Sequence, residues 1–258
     1  LFRSAIDTEF VRTKTLFPKL GLLQIFDGEQ LALIDPLKVL NLSSFWNLLE
    51  DKRQLKLLHA CSEDIEVFLT QAKCKPANLL DSQIAMSFLG HGLSMGYAAM
   101  VKYYREVELD KSESRTDWLR RPLSQRQLEY AAADVFHLWH MGDIILEELN
   151  KTAWHSAALE ESENIVERKF KPVIPEQIYR DIKGAWKLSP KQLLRLKHLC
   201  DWRYNLAVKR DVPISFIAKD ATLLQLAEKN PKSVGAMASF NDIEILDVRH
   251  QGKSMLAV

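Results

Sequence analysis

Cysteine is scarce in this chain: three residues in 258, at Cys61, Cys74 and Cys200. The count is odd and no CxxC spacing occurs, so neither a disulfide framework nor a four-cysteine zinc site is expected. A reducing cytoplasm suits that composition. The histidines form no HxE or HExxH pattern, which argues against zinc hydrolysis. No GxGxxG and no Walker loop are present, so neither a dinucleotide nor ATP is expected as a cofactor. Long apolar runs are missing too. The most apolar stretch, residues 84–100, is broken by Ser87, His91, Ser94 and several glycines, well short of the roughly 18 residues of a membrane span. No secretory leader opens the chain, and its first residue is not Met, so a preceding piece is expected. An excess of either charge is also absent: 35 lysines and arginines face 34 acids, a net +1, which excludes a polybasic protein and acidic disorder.

What is there suffices for a sizeable core, with 47% hydrophobic residues, 9 Gly and 9 Pro and no repeat or low-complexity tract. The near-neutral average hides a split. Residues 1–170 carry 20 basic and 25 acidic residues, a net −5, whereas residues 171–258 carry 15 and 9, a net +6. Two readings fit: a carboxylate-lined site beside a polyanion-binding module, or ordinary drift in surface composition.

The first part begins with strands. Ser4–Phe10 alternates, and Leu20–Phe26 and Leu31–Asp35 flank the turn dipeptide Asp27–Gly28 as a hairpin. Ser43–Glu50 reads as a short helix, Leu55–His59 as a buried strand, and Asn78–Asp81 as one more short strand. Ser62 is expected to cap a helix to Ala72, with Ile65, Phe68 and Leu69 spaced three and four apart. Helices follow over 82–89, 94–104 and, behind a Ser124/Gln127 capping box, 124–150, then 152–169. The segment Lys171–Pro175, with two prolines, marks the domain boundary. Beyond it 190–208, 221–229 and 241–258 read as helices. The expected organisation is an α/β domain with a mixed sheet, residues 1–170, and a small all-α domain, residues 171–258.

Three fragments carry candidate chemistry. Asp7 and Glu9 stand two apart on the first strand, so period-2 geometry points both carboxylates to one face. Such a pair invites Mg²⁺ or Mn²⁺, because hard cations take oxygen ligands; an isolated D-x-E is far more often a solvated strand end. Asp64 falls in the first turn after a buried strand, a usual place for a site residue and equally a place where the helix dipole favours an acid. Tyr130 and Asp134, four apart in YAAAD, share one helix face, or are a core tyrosine with an exposed aspartate one turn on.

In combination IDTEF, HACSEDIEVF and YAAAD resemble the three motifs of the DEDD superfamily of 3′→5′ exonucleases, in its tyrosine-bearing DEDDy branch. The text LGLLQIFDG, LALIDP and LDKSESRTDW is similar to the bacterial ribonuclease D family, and CDWRYNLAVKRDVP with LLQLAEKNP resembles an HRDC domain. The resemblance implies a ribonuclease H-like fold followed by an HRDC-like nucleic-acid-binding domain. It implies that Asp7, Glu9, Asp64 and Asp134 hold two divalent ions, one activating water and one stabilising the leaving 3′ oxygen. It makes Tyr130 the group that orients the water, since a phenol with its pKa near 10 is a poor base. The implied activity is a 3′→5′ exoribonuclease acting on RNA with free 3′ ends, tRNA precursors being the family's substrate class. A DNA exonuclease and a non-catalytic RNA-binding protein on the same scaffold are the alternatives. Thr8 is expected to contact the terminal nucleotide and Phe10 to stack on a base, or both to pack in the core.

Other residues divide two ways. Lys111, Arg115 and Trp118 lie in a polar segment and suit phosphate contact and base stacking, or pair with neighbouring acids. Arg203, Lys209 and Arg210 form a candidate RNA patch in the second part, or a solvated helix face. His59 reads as a core histidine, or one supporting the site from behind, rather than a ligand.

Overall fold

The computed structural model describes residues 3–110, 112–240 and 243–258. The chain divides into two units, one comprising the chain to Val11 with Pro18–Lys171, the other Arg12–Phe17 with Pro172–Val258.

The first unit is built on five strands: β1 (Arg3–Val11), β2 (Lys19–Phe26), β3 (Leu31–Ile34), β4 (Leu55–Leu58) and β5 (Leu79–Asp81). Their order is β3-β2-β1-β4-β5. β1 runs antiparallel to β2 and parallel to β4, so the sheet is mixed and β1 is its central strand. The Asp27–Gly28 turn closes as its sequence suggests. Gly28 adopts φ +103°, and the Asp27 carboxylate accepts the Glu29 and Gln30 amides at 2.9 and 2.8 Å.

Six helices cover the two faces: α1 (Ser43–Glu50), α2 (Ser62–Ala72), α3 (Ser82–Phe88), α4 (Tyr97–Arg105), α5 (Gln125–Asn150) and α6 (His155–Phe170). Alternation along the strands sorts the core. Ala5, Leu57 and Leu80 pack beneath Val135, Leu138 and Ile145 of α5, while Ile6, Leu23 and Leu58 meet Phe45, Ile65 and Phe68 of α1 and α2. Gly142 lets α5 lie close on β4, because a Cβ there would stand 2.3 Å from Leu57 Cδ1. Ser124 and Gln127 form the expected capping box at the start of α5. Ser62 does not cap α2. Cys61 takes that position, and the Asp81 carboxylate at the end of β5 accepts the Ala60 and Cys61 amides at 3.0 and 2.8 Å. A side chain from another strand thus fixes the turn that leads into α2, while the N-cap makes no side-chain hydrogen bond of its own.

The second unit holds two 3₁₀ turns (Pro175–Asp181 and Ala185–Lys187) and helices α7 (Pro190–Arg210), α8 (Ile214–Ile217), α9 (Asp220–Lys229), α10 (Val234–Ala238) and α11 (Ile245–Leu256). Its core gathers Leu196, Cys200, Leu223, Leu226, Met237 and Val248. The four- and five-residue helices α8 and α10 are too short to show a 3.6-residue period. The last helix starts at Ile245 rather than at 241, and Asn241 and Asp242 lie outside the described residues. Residues 12–17 join this unit through Asp211, whose carboxylate accepts the Leu16 and Phe17 amides at 3.1 Å. The three cysteines are free and buried. Among the described residues no helix is long and apolar enough to cross a membrane.

Candidate active site

Because side chains alternate along β1, Asp7 and Glu9 both face α5, which brings Asp134 down to meet them. One carboxylate oxygen from each of the three lies within 4.8 Å of the others. Asp64 is not part of that trio. It is buried in the first turn of α2 and accepts the Thr8 hydroxyl at 2.5 Å. All four carboxylates nevertheless line one cavity of about 230 Å³, together with Phe10, His59, Glu63, Tyr97 and Tyr130. Just after Glu9 the pairing slips by one residue, Glu9 opposite Leu22 but Phe10 opposite Leu20. Such a bulge re-aims the strand beside a site, and Phe10 is left half-buried at the cavity wall.

The electrostatics of the cluster are those of crowded acids. Burial, then the charge of Asp134, holds Asp7 well above the usual carboxylate range. Glu9 is pushed up to about 10 by burial and then by Asp7, Asp134 and Asp64. Asp64 is raised by burial and by Asp7. Burial raises Asp134 to about 7, while the Tyr130 hydroxyl beside it pulls the other way. Burial, the charge of Asp134 and then that of Glu9 raise the Tyr130 phenol above its ordinary value. A donor set made only of oxygens, with ionisation opposed by burial and by like charge, fits a hard divalent cation, which would relieve both penalties.

Two further groups hold the site from behind. Tyr97 at the start of α4 donates its hydroxyl to the Asp134 backbone carbonyl. His59 Nδ1 lies 2.9 Å from Ser82 Oγ, and burial lowers its pKa. No sequence signal marks Tyr97, because only the packing of α4 on α5 brings it there. The same holds for Arg126, one turn before Tyr130, which lines an adjoining cavity with Glu129, Tyr130 and Asp134.

Several expected contact residues are elsewhere. Trp118 is 1% exposed and packs with Leu22 and Ala131, so it cannot stack on a base. Its segment is drawn onto β2 by Arg121, which ion-pairs with Asp35 at 2.7 Å and donates to the Gly21 and Trp118 carbonyls. The Trp118 ring instead backs Tyr130, 6.2 Å between centroids. Thr8 does line the carboxylate cavity, 5% exposed, with its hydroxyl donated to Asp64 and so supporting that carboxylate. Arg203 is buried, donating to the Ala218 carbonyl at 2.9 Å and pairing with Asp220 at 2.7 Å, so it drops out of the RNA patch. Lys209, Arg210 and Arg115 are exposed. Lys111 lies outside the described residues.

Comparison with known proteins gives this arrangement a class. Residues 4–150 match a 3′-5′ exonuclease family model and residues 192–258 an HRDC domain model; the sheet-and-carboxylate unit is a 3′-5′ exonuclease domain. Ribonuclease D of Serratia proteamaculans is 44% identical over 254 residues, covering 98% of this chain and 68% of its own. That of Musicola paradisiaca is 46% identical, with 98% and 67% covered. The crystal structure of Escherichia coli RNase D, an exoribonuclease involved in structured RNA processing, superposes with a TM-score of 0.93. Its identity is 45%, covering 99% of this chain and 68% of that one. The chain belongs to the ribonuclease D family of 3′→5′ exoribonucleases.

Proposed function

We propose that this chain releases nucleoside monophosphates one at a time from free RNA 3′ ends, with tRNA precursors as substrate class. Asp7, Glu9, Asp64 and Asp134 would hold two divalent ions, Mg²⁺ or Mn²⁺. The observation that carries the assignment is the convergence of Asp7, Glu9 and Asp134 within 4.8 Å, with Asp64 on the same cavity. Bound ions would supply a water acidified toward neutrality and charge stabilisation of the leaving oxygen.

The chain's own groups do the rest. Asp134, one turn on from Tyr130 on the same cavity, would accept a hydrogen bond from the Tyr130 hydroxyl, which would leave the phenol oxygen free to accept one from the attacking water and set its direction. The raised phenol pKa keeps that proton in place, so Tyr130 orients rather than deprotonates. Thr8 fixes Asp64, and Tyr97 ties the backbone of Asp134 to α4. Phe10, at the bulge and on the cavity wall, would stack on the terminal base, and Arg115 and Arg126 would offer cations for phosphates. Residues 1–170 would carry the chemistry, and the basic residues 171–258, including Lys209 and Arg210, the grip on RNA. Free buried cysteines support a reducing, cytoplasmic setting.

The test is end-directed cleavage on matched RNA and DNA strands with Mg²⁺, Mn²⁺ or EDTA. Linear RNA should yield mononucleotides, circular RNA should survive, and Asp7→Ala should abolish release. Cuts within a circle, or more than about a tenth of wild-type rate in Asp7→Ala, would overturn the assignment, since a lost ligand costs several kcal/mol of transition-state stabilisation.

A further inference from the structure

Gln24 occupies a position on β2 where an apolar residue would be the inexpensive choice. Its neighbours on the same face, Leu22 and Phe26, are both buried and both pack against α5 or its surroundings. Gln24 itself is 0% exposed, and neither its amide nitrogen nor its amide oxygen has a hydrogen-bond partner. Burying an unpaired amide costs about 1–3 kcal/mol, so buried polar groups are normally partnered.

Its surroundings narrow what the partner can be. Gln24 stands opposite Leu33 on β3 and opposite Asp7 on β1. Above it runs the stretch of α5 from Ala131, which packs with Leu22, to Val135, which packs with the Phe26 cluster. Leu33 and the alanines of that stretch offer no side-chain acceptor, and its one acid, Asp134, converges with Asp7 and Glu9. Directly opposed residues of an antiparallel pair share a face, with Cβ atoms about 4.5–5.5 Å apart. Asp7 is therefore the polar side chain directly across from the amide, and a glutamine is long enough to span that gap.

Resting on the carboxylate assignment above, we infer that Gln24 is a positioning residue for the ion site. Its amide nitrogen, unpartnered in the structure, would turn to donate to the Asp7 oxygen facing away from a bound ion, and so hold the carboxylate orientation that binds. Groups that support a metal ligand from behind in this way usually change ion affinity or activity about 10- to 100-fold when removed.

A purely structural amide and a positioning amide respond oppositely to Gln24→Met, which keeps length and volume and removes the polar atoms. In EDTA the variant should melt at the same temperature or about 2–4 °C higher, because an unpaired buried amide is gone. Its Mn²⁺ affinity by calorimetry should fall about 10- to 100-fold, and kcat should fall with KM for RNA little changed. Leu33→Met, which alters the other cross-strand neighbour, should leave ion affinity alone. A second measurement reads the wild-type protein itself. The side-chain amide resonances of Gln24, identified by their loss in Gln24→Met, should shift and gain exchange protection when Mg²⁺ is added to the wild-type protein. Asp7→Asn should abolish that response. Unchanged ion affinity in Gln24→Met, or resonances indifferent to Mg²⁺, overturns the inference while the exonuclease reading stands. A wild-type protein that binds neither ion overturns both.

Discussion

Replacing Asp134 by Asn should make the metal-free protein more stable while destroying its ion site. Burial lifts the Asp134 carboxyl from 3.8 to about 7. A carboxyl whose folded value lies above its unfolded one destabilises the fold only where pH exceeds the unfolded value. The penalty therefore grows from about pH 4 and is complete above about pH 7. At 1.36 kcal/mol per pH unit the ceiling is ~4 kcal/mol. The group is half-open to the cavity, and solvent screening brings the expectation to about 2 kcal/mol, or about 4–8 °C in the melting of this unit. Asparagine retains an oxygen to accept the Tyr130 hydroxyl and also removes the charge that raises Asp7 and Glu9. Thermal melts in EDTA should show the gain at pH 8 and none at pH 4. With saturating Mn²⁺ the order should reverse, since ligand at a hundredfold its Kd stabilises the wild type by about 2.7 kcal/mol and the variant scarcely at all. A variant less stable than wild type at pH 8 without ions, or equally stabilised at both pH values, would refute the crowded-carboxylate account.

Tyr130→Phe keeps the ring against Trp118 and removes the hydroxyl, so kcat should drop roughly 10²–10⁴-fold with KM little changed; an unaltered kcat would make Tyr130 a packing residue. Trp118→Ala should cost about 3–5 kcal/mol in denaturant melts, the usual loss for a buried large aromatic, and a loss under about 1 kcal/mol would contradict its burial. Lys209→Gln with Arg210→Gln should lower the slope of log K against log salt for RNA binding by about 0.7–0.9 per lost contact. Arg203→Ala should instead destabilise the helical unit. The reverse pattern would return Arg203 to the RNA surface.

Much of this protein is set by periodicities local enough to read along the chain. The alternation of β1 dictates that Asp7 and Glu9 share a face, and the four-residue spacing of α5 dictates that Tyr130 and Asp134 do. The Asp27–Gly28 turn and the Ser124/Gln127 capping box are equally local, since each closes hydrogen bonds within three residues. These patterns decide the elements, and the motifs in combination decide the family. What they leave open depends on partners far apart in sequence. Cys61 takes the cap position Ser62 was expected to fill, with Asp81 holding the turn before it, and Arg121 reaches Asp35 to bury Trp118 in a segment whose polarity reads as a loop. Arg203 looks like a surface cation until Asp220 and the Ala218 carbonyl enclose it. Tyr97 and Gln24 carry no pattern of their own; α4 packing on α5, and the register of β2 against β1, bring them to the carboxylates. Burial and long-range pairing are properties of the assembled layers, and a polar side chain takes its role from whichever group the fold sets beside it.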